Sequence, residues 1–207
     1  MLNRDANMQR RSCLSTRSSR LPDHFDYQVG EVKYGLREVC LEHDLRILHR
    51  WMHEPHVIPQ WKLNISQSDL AVHFEKMHMD DHQRLYIIQI DASDVGYLEI
   101  YEAARDRLAL YYAAHPDDMG WHILLGEKSV VGKGHFRAVM KMMCQFVFQH
   151  TPALKIVGEP DITVRSYAYV ADQIAFEAKQ ILNMPEKQAV LYHCERDRFL
   201  QLCGESA

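Results

Sequence analysis

The feature that most constrains the fold is a short glycine turn between an apolar run and a helical pattern. The apolar residues Ile123 to Leu125 lead into a loop that ends in Gly132-Lys133-Gly134, and a helical pattern follows from His135 to Gln149. Such a strand, turn and helix place free backbone N–H groups and the positive end of a helix dipole at the turn, which suits a phosphate or pyrophosphate. The sequence therefore predicts an α/β fold with an anion site at this turn.

A histidine and an acidic segment flank the predicted anion site. His122 stands on the same strand just before the loop, and Glu159-Pro160-Asp161 follows the next strand. The ordinary pKa of histidine lies near neutrality, so His122 suits a proton acceptor, while Asp161 orients its ring or contacts a substrate. Two plainer interpretations stay open, in which His122 is a structural histidine and Asp161 caps the following helix. An anion site beside this pair favours a transferase with a phosphate-bearing cofactor.

Length and composition limit the class of protein. The chain has 207 residues, is 47% hydrophobic and carries a formal net charge of −4, which supports one packed domain and gives no support to nucleic-acid binding. No apolar run is long enough to cross a membrane. The five cysteines form no C-x-x-C motif, so we expect reduced thiols in a cytoplasmic protein. The thirteen histidines show no zinc-ligand spacing, so we expect no metal.

The beginning of the chain differs in composition from the rest. It combines several serines with few large apolar residues and with the arginines Arg4, Arg10, Arg11, Arg17 and Arg20. A segment of this composition cannot bury enough apolar surface to offset the entropy that it loses on ordering. We therefore expect a disordered basic leader over residues 1–25 and a single domain over residues 26–207.

The remaining pattern alternates between strands and helices. Period-two runs predict strands over residues 29–39, 85–90, 95–102, 108–113, 121–125, 154–157, 176–182 and 189–194. Helical spacing predicts helices over residues 43–53, 66–78, 135–149 and 164–174. No internal repeat or interdomain linker is visible, so these elements are expected to form one α/β unit.

Several motifs together resemble those of a known enzyme family. The most specific are Gly96-Tyr97-Leu98-Glu99-Ile100-Tyr101, Gly120-Trp121-His122 and Glu159-Pro160-Asp161, which occur with the glycine turn. The chain resembles the GNAT superfamily of acyl-CoA-dependent N-acyltransferases over roughly Val32 to Phe199. Within it, the sequence is similar to the siderophore-biosynthesis branch that acylates N-hydroxylated amines, including the aerobactin, alcaligin and rhizobactin types.

The resemblance implies a fold, a reaction and partners. The GNAT fold is an α/β (α+β) arrangement in which helices flank a mixed, mostly antiparallel central sheet. Acyl-CoA, either acetyl-CoA or succinyl-CoA, would acylate N-hydroxyputrescine, N-hydroxycadaverine or N6-hydroxylysine to a hydroxamate for a siderophore. The resemblance also implies a functional link to an amine N-monooxygenase and a siderophore synthetase. The chain would act as a monomer or a homodimer.

The resemblance also assigns roles to residues, with His122 and Asp161 as the catalytic pair. The residues implied to bind acyl-CoA are Leu124, Leu125, Val131, Gly132, Lys133, Gly134, His135, Phe136 and Arg137. Those implied to line the acceptor site are Trp61, Tyr97, Glu99, Tyr101 and Glu159. For Trp61 and the two tyrosines, a position in the hydrophobic core is an open alternative.

Three residues depart from the family pattern. Val131 and Phe136 replace polar or small residues of the usual glycine loop, and Val164 stands where the family commonly has asparagine. These departures keep open a non-catalytic CoA-binding regulatory module. An aminoglycoside 6'-N-acetyltransferase is the alternative enzyme, because that group shares the early R-x-W-M-x-x-P-H-V pattern and the glycine-lysine-glycine turn.

Overall fold

A computed structural model describes residues 16–203, in which eight strands form one sheet in the order β1-β2-β3-β4-β5-β6-β8-β7. The strands are β1 His24–Val29, β2 Val32–Glu38, β3 Gln83–Ile90, β4 Ser93–Glu102, β5 Met119–Leu125, β6 Lys155–Gly158, β7 Phe176–Asn183 and β8 Gln188–Glu195. The α-helices are α1 Leu41–Met52, α2 Ile58–Trp61, α3 Gln67–Met79, α4 His135–His150, α5 Arg165–Ala171 and α6 Arg196–Cys203. The predicted α/β fold with a mixed, mostly antiparallel sheet is confirmed.

The contact between β5 and β6 is the unusual part of the sheet. The other neighbouring strands pair in antiparallel fashion, whereas β5 and β6 run parallel and pair at Met119↔Ile156 and Gly120↔Val157. Beyond this point β5 continues to Leu125 beside β4. A wedge-shaped gap therefore opens between β5 and β6 in the middle of the sheet.

Helices cover both faces of the sheet because successive strand residues point to opposite sides. On one face, Leu98 of β4 packs in a core with Val139 and Phe146 of α4. On the other face, Tyr97 packs with Trp51 of α1 and Phe74 of α3. Helix α3 is capped by Ser66, whose Oγ accepts a hydrogen bond from the backbone N–H of Asp69 at 3.2 Å.

Two predicted strands are wrong in detail. The strand predicted over residues 29–39 is observed as β2 from Val32 to Glu38, but its first residues are the end of β1 and a turn at Gly30, whose φ of +60° favours glycine. The strand predicted over residues 108–113 is not formed, and a 3₁₀-helix, Arg107–Leu110, overlaps its first residues. The Asp106 carboxylate accepts a hydrogen bond from the backbone N–H of Leu108 at 2.8 Å and so starts this helix.

Residues ahead of the predicted boundary at residue 26 take part in the fold. Ser18 and Leu21 are buried, Ser18 N donates a hydrogen bond to the buried Glu102 carboxylate, and β1 starts at His24. Residues 18–25 are therefore part of the fold, and residues 1–15 of the predicted leader lie outside the described part of the chain. Between residues 16 and 203, the helices lack the combined length and apolarity that a membrane crossing requires.

Candidate active site

The register between β4 and β5 builds the centre of the site. Glu99 lies directly opposite His122 in the antiparallel ladder, and Tyr97 and Tyr101 lie two residues to either side of Glu99 on the same face. Glu159 follows β6 immediately after Gly158, and its side chain reaches the same face at the closed end of the gap. Three strands therefore bring these side chains together.

His122 is held between two carboxylates. Its Nδ1 lies 2.7 Å from Oε2 of Glu99, and its Nε2 lies 3.0 Å from Oε1 of Glu159. The glutamate side chains are 7% and 1% exposed, whereas the His122 side chain is 31% exposed. All three members of this Glu99–His122–Glu159 array line the cavity, and the imidazole is the most exposed of them.

A second layer of side chains fixes the two carboxylates. The Tyr97 hydroxyl donates to Oε1 of Glu99 at 3.0 Å, and the Tyr101 hydroxyl donates to Oε2 of Glu159 at 3.1 Å. Lys187, in the turn before β8, donates from Nζ to the backbone oxygen of Glu159 at 2.6 Å. Tyr97 is fully buried behind Glu99, so its place is that of a support for the carboxylate and not the predicted one of an acceptor contact.

The carboxylates control the protonation of the array. Burial disfavours a charged imidazole, but Glu159 and Glu99 outweigh it and raise the pKa of His122 to about 10. Burial likewise raises the pKa of Glu159, yet His122 and Lys187 outweigh it and lower that pKa to about 2. At neutral pH the imidazole is therefore a cation that donates from both nitrogens. The expected near-neutral pKa of His122 is wrong for this reason.

Asp161 lies beside the array without joining it. Its Oδ1 accepts hydrogen bonds from the backbone N–H of Thr163 at 2.8 Å and from the Thr163 hydroxyl at 2.5 Å. Both ring nitrogens of His122 are already engaged by glutamates, so the expectation that Asp161 orients the imidazole is wrong and Glu159 takes that place. Asp161 still lines the cavity in front of the array.

A cavity of about 1140 Å³ leads from the glycine turn, past the array, to the end of α3. The predicted acyl-CoA contacts that line it are Leu124, Leu125, Val131, Gly132, Gly134, Phe136 and Arg137. Lys133 lies on the exposed turn without lining the cavity, and His135 turns away to Tyr34, whose hydroxyl lies 2.9 Å from its Nδ1. Trp61 lines the opposite wall, with its ring centre 6.4 Å from that of His122.

The glycines of the turn serve its backbone conformation. Gly132 and Gly134 have φ angles of +75° and +86°, which side chains disfavour, and a Cβ at either position would meet no atom within 4 Å. Gly134 is also the N-cap of α4, so the free N–H groups of the first helical turn face an open surface. This arrangement can hold a phosphate or pyrophosphate through backbone donors alone.

Some lining residues had no clear signal in the sequence. His73 and Lys76 of α3 and Tyr167 and Tyr169 of α5 also face the cavity. Their helices follow an ordinary amphipathic pattern, which does not distinguish residues that line a cavity from residues that pack in a core. Among residues 16–203, no group of three or more His, Cys, Asp and Glu side chains has an arrangement that could hold a metal ion.

Comparisons with known proteins identify the family of this chain. The sequence pattern of the acetyltransferase (GNAT) domain family matches residues 40–184, which include Glu99, His122 and Glu159. The N-hydroxyputrescine acetyltransferase of Acinetobacter baumannii is 54% identical over 191 residues, which cover 92% of this chain and 91% of that protein.

Two further relatives are more distant. An N(5)-hydroxyornithine:cis-anhydromevalonyl coenzyme A-N(5)-transacylase of Beauveria bassiana is 32% identical over 161 residues, covering 77% of this chain and 35% of that protein. The crystal structure of an uncharacterized protein from Bacillus halodurans superimposes with a TM-score of 0.83 at 32% identity, covering 86% of this chain and 93% of that one. The overall fold is therefore shared with an experimentally determined structure.

Proposed function

This chain belongs to the GNAT family of acetyltransferases, and we propose that it transfers the acyl group of acyl-CoA to the hydroxylated nitrogen of an N-hydroxydiamine. The product is a hydroxamate, the iron-chelating unit of a siderophore. N-hydroxyputrescine is the first candidate acceptor, because the relative that is 54% identical carries that substrate in its name. The chemistry places the reaction after an amine N-monooxygenase, which supplies the hydroxylamine, and before a synthetase that consumes the hydroxamate.

The observation that carries the proposal is the Glu99–His122–Glu159 array at the gap between β5 and β6. Three carboxylates at the cavity, those of Glu99, Glu159 and Asp161, face two cations, His122 and Lys187, which leaves one net negative charge. An N-hydroxydiamine carries an ammonium group at its far end, which this charge attracts. Its hydroxylamine nitrogen is less basic than an ordinary amine and is largely neutral near pH 7. The array therefore needs to attract and orient the acceptor more than to deprotonate it.

The gap suits the other half of the reaction. Pairing between β5 and β6 ends at Gly120 and Val157, so β5 presents its edge from Trp121 to Leu125 to a bound donor. A backbone N–H on this edge would polarise the thioester carbonyl. The nitrogen of the acceptor attacks the carbonyl carbon, the carbon–sulfur bond breaks, and the proton lost by nitrogen ends on the sulfur of CoA.

The test is a matched acceptor screen with the full-length protein and acetyl-CoA or succinyl-CoA. N-hydroxyputrescine, N-hydroxycadaverine and N6-hydroxylysine are each paired with the parent amine, and kanamycin is included. We expect hydroxamate formation, detected by mass and by the colour of its iron(III) complex, with the parent amines far slower because they lack the hydroxyl that the site binds. Equal turnover of the parent amines, or rapid acetylation of kanamycin, would contradict the proposal.

A further inference from the structure

The closed end of the gap between β5 and β6 is sealed on both faces by an aromatic ring seated on a glycine. On the face of the array, a Cβ on Gly120 would lie 2.2 Å from Cε2 of Tyr101. On the opposite face, a Cβ on Gly158 would lie 2.7 Å from Cε2 of Trp121. Carbon atoms do not approach so closely, so each ring occupies the space that a side chain would take. Gly120 belongs to the last β5–β6 pair, and Gly158 comes directly after it.

Both rings are fixed by their surroundings. Trp121 is 6% exposed, and its ring centre lies 5.2 Å from that of Tyr167 and 6.2 Å from that of Phe176. Tyr101 is 1% exposed and is tied to Glu159 by its hydroxyl. Rings packed at interior density move aside only at a cost in free energy. They therefore act as firm walls at the end of the gap.

The path of the donor leads to these walls. Helix α4, which begins at the glycine turn, packs on the face that carries Trp121, whereas His122 points to the other face. A donor held at the turn must pass through the gap to bring its thioester carbon beside His122. A donor in this position would direct its acyl group towards the closed end, where Trp121 and Tyr101 line the cavity.

We propose that Trp121 on Gly158 and Tyr101 on Gly120 limit the acyl group of the donor to acetyl. This inference rests on the proposed function and names its donor class. A longer alkyl chain has to displace a packed ring, and a succinyl group has to bury its carboxylate against aromatic surface. One methylene group in an apolar pocket commonly changes kcat/KM by roughly 10-fold to 200-fold. Short-chain selectivity on that scale is expected here.

Trp121→Phe is the variant that opens the wall. Within the described residues the Trp121 Nε1 atom is buried without a hydrogen-bond partner, so phenylalanine removes ring volume and breaks no hydrogen bond. Tyr167→Phe is the matched control, because the Tyr167 hydroxyl is buried without a partner in the same part of the chain and the ring stays in place. We measure kcat/KM for acetyl-, propionyl-, butyryl- and succinyl-CoA with N-hydroxyputrescine.

In the wild type we expect kcat/KM to fall at least about tenfold for each added methylene. Trp121→Phe should raise the butyryl-to-acetyl ratio by about tenfold or more, while Tyr167→Phe keeps the wild-type ranking of donors. Equal use of acetyl- and butyryl-CoA by the wild type, or an unchanged ratio in folded Trp121→Phe, would overturn the inference.

A binding measurement separates this inference from the proposed function. Calorimetry of the wild type with CoA, acetyl-CoA and butyryl-CoA needs neither an acceptor nor a variant. We expect butyryl-CoA to bind at least about tenfold more weakly than acetyl-CoA. Equal affinities would contradict the inference that Trp121 and Tyr101 limit the length of the acyl group. If no acceptor is acylated but butyryl-CoA still binds more weakly than acetyl-CoA, the proposed function is contradicted and the inference about acyl length is not.

Discussion

His122 Nε2 donates to Oε1 of Glu159 at 3.0 Å, across the point at which β5 and β6 separate. The bond joins a residue of β5 to the residue that follows β6, so an ion pair bridges the two strands where they separate. In the proposed reaction, its geometry and its charge would act on the position of both substrates.

Loss of the imidazole should lower turnover without weakening donor binding. His122→Ala leaves two buried carboxylates without their shared cation, which disturbs both of them. We expect kcat/KM to fall on the order of a hundredfold, equal to about 2.7 kcal/mol. Because the His122 pKa is about 10, His122 should not titrate near pH 6.5 in the wild type. The pH profiles of kcat/KM for the wild type and His122→Gln should therefore not differ by a titration near pH 6.5. Near-normal rates in folded His122→Ala would make the histidine structural.

The array should also make stability depend on pH. The His122 pKa rises from 6.5 to about 10 on folding, so its contribution is complete below pH 6.5 and is lost as pH rises towards 10. The Glu159 pKa falls from 4.5 to about 2, so its contribution is complete above pH 4.5 and is lost as pH falls towards 2. The array therefore stabilises the fold most between pH 4.5 and 6.5.

Urea unfolding of the wild type and His122→Gln across roughly pH 3 to 10 measures this dependence. In the difference between the two free energies of unfolding, the contributions of titratable groups that both proteins share cancel. One such group is His193, whose pKa is lowered by burial to about 4. We expect the difference to be largest in the window set by the two shifts and to shrink above it. A constant difference from about pH 5 to about pH 10 would show that the imidazole does not gain its proton from the fold.

The glycine turn should tolerate a side chain but not a negative charge. Gly134 has a φ of +86°, which asparagine and aspartate tolerate better than most residues, and a Cβ added there would meet no atom within 4 Å. Gly134→Asp therefore differs from Gly134→Asn mainly by its charge beside the CoA phosphates. We expect calorimetry to show CoA binding roughly tenfold weaker in the aspartate variant than in the asparagine variant. Equal affinities would place the pyrophosphate elsewhere.

Asp161 should affect the acceptor more than the chemical step. In Asp161→Asn the amide oxygen still accepts the two hydrogen bonds from Thr163, so the local turn is kept. The lost charge lies at the partly exposed wall of the cavity, and we expect KM for the acceptor to rise about two- to fivefold with little change in kcat. A hundredfold loss of kcat would instead place Asp161 on the reacting atoms.

Local signals in the sequence account for most of the elements. Ser66 was a predictable N-cap because its side chain acts within one turn, and the helix from His135 began where the glycine turn ended. The failures came from competition between local preferences. Apolar residues at 108–113 suggest a strand, but the Asp106 side chain captures the first backbone N–H and starts a 3₁₀-helix.

The sequence placed the candidate residues on strands but did not reveal which of them pair. Glu99 and His122 lie opposite each other on adjacent antiparallel strands, whereas the strand predicted over residues 108–113 would have come between theirs along the chain. The contact of Lys187 with Glu159 joins residues 28 positions apart through the β7–β8 turn, and no periodicity marks it. The pKa of His122 was mispredicted because it depends on two carboxylates brought by different strands.

The brevity of the β5–β6 contact gives the protein an internal reporter of donor occupancy. Within residues 16–203 two residue pairs join these strands, so amide hydrogens of Trp121 to Leu125 that point into the gap lack a strand partner there. Deuterium should enter these positions faster than those that pair with β4. A non-reactive thioether analogue of the donor should slow that uptake by lying along the open edge. Exchange at this edge would then report occupancy of the gap in the absence of any turnover.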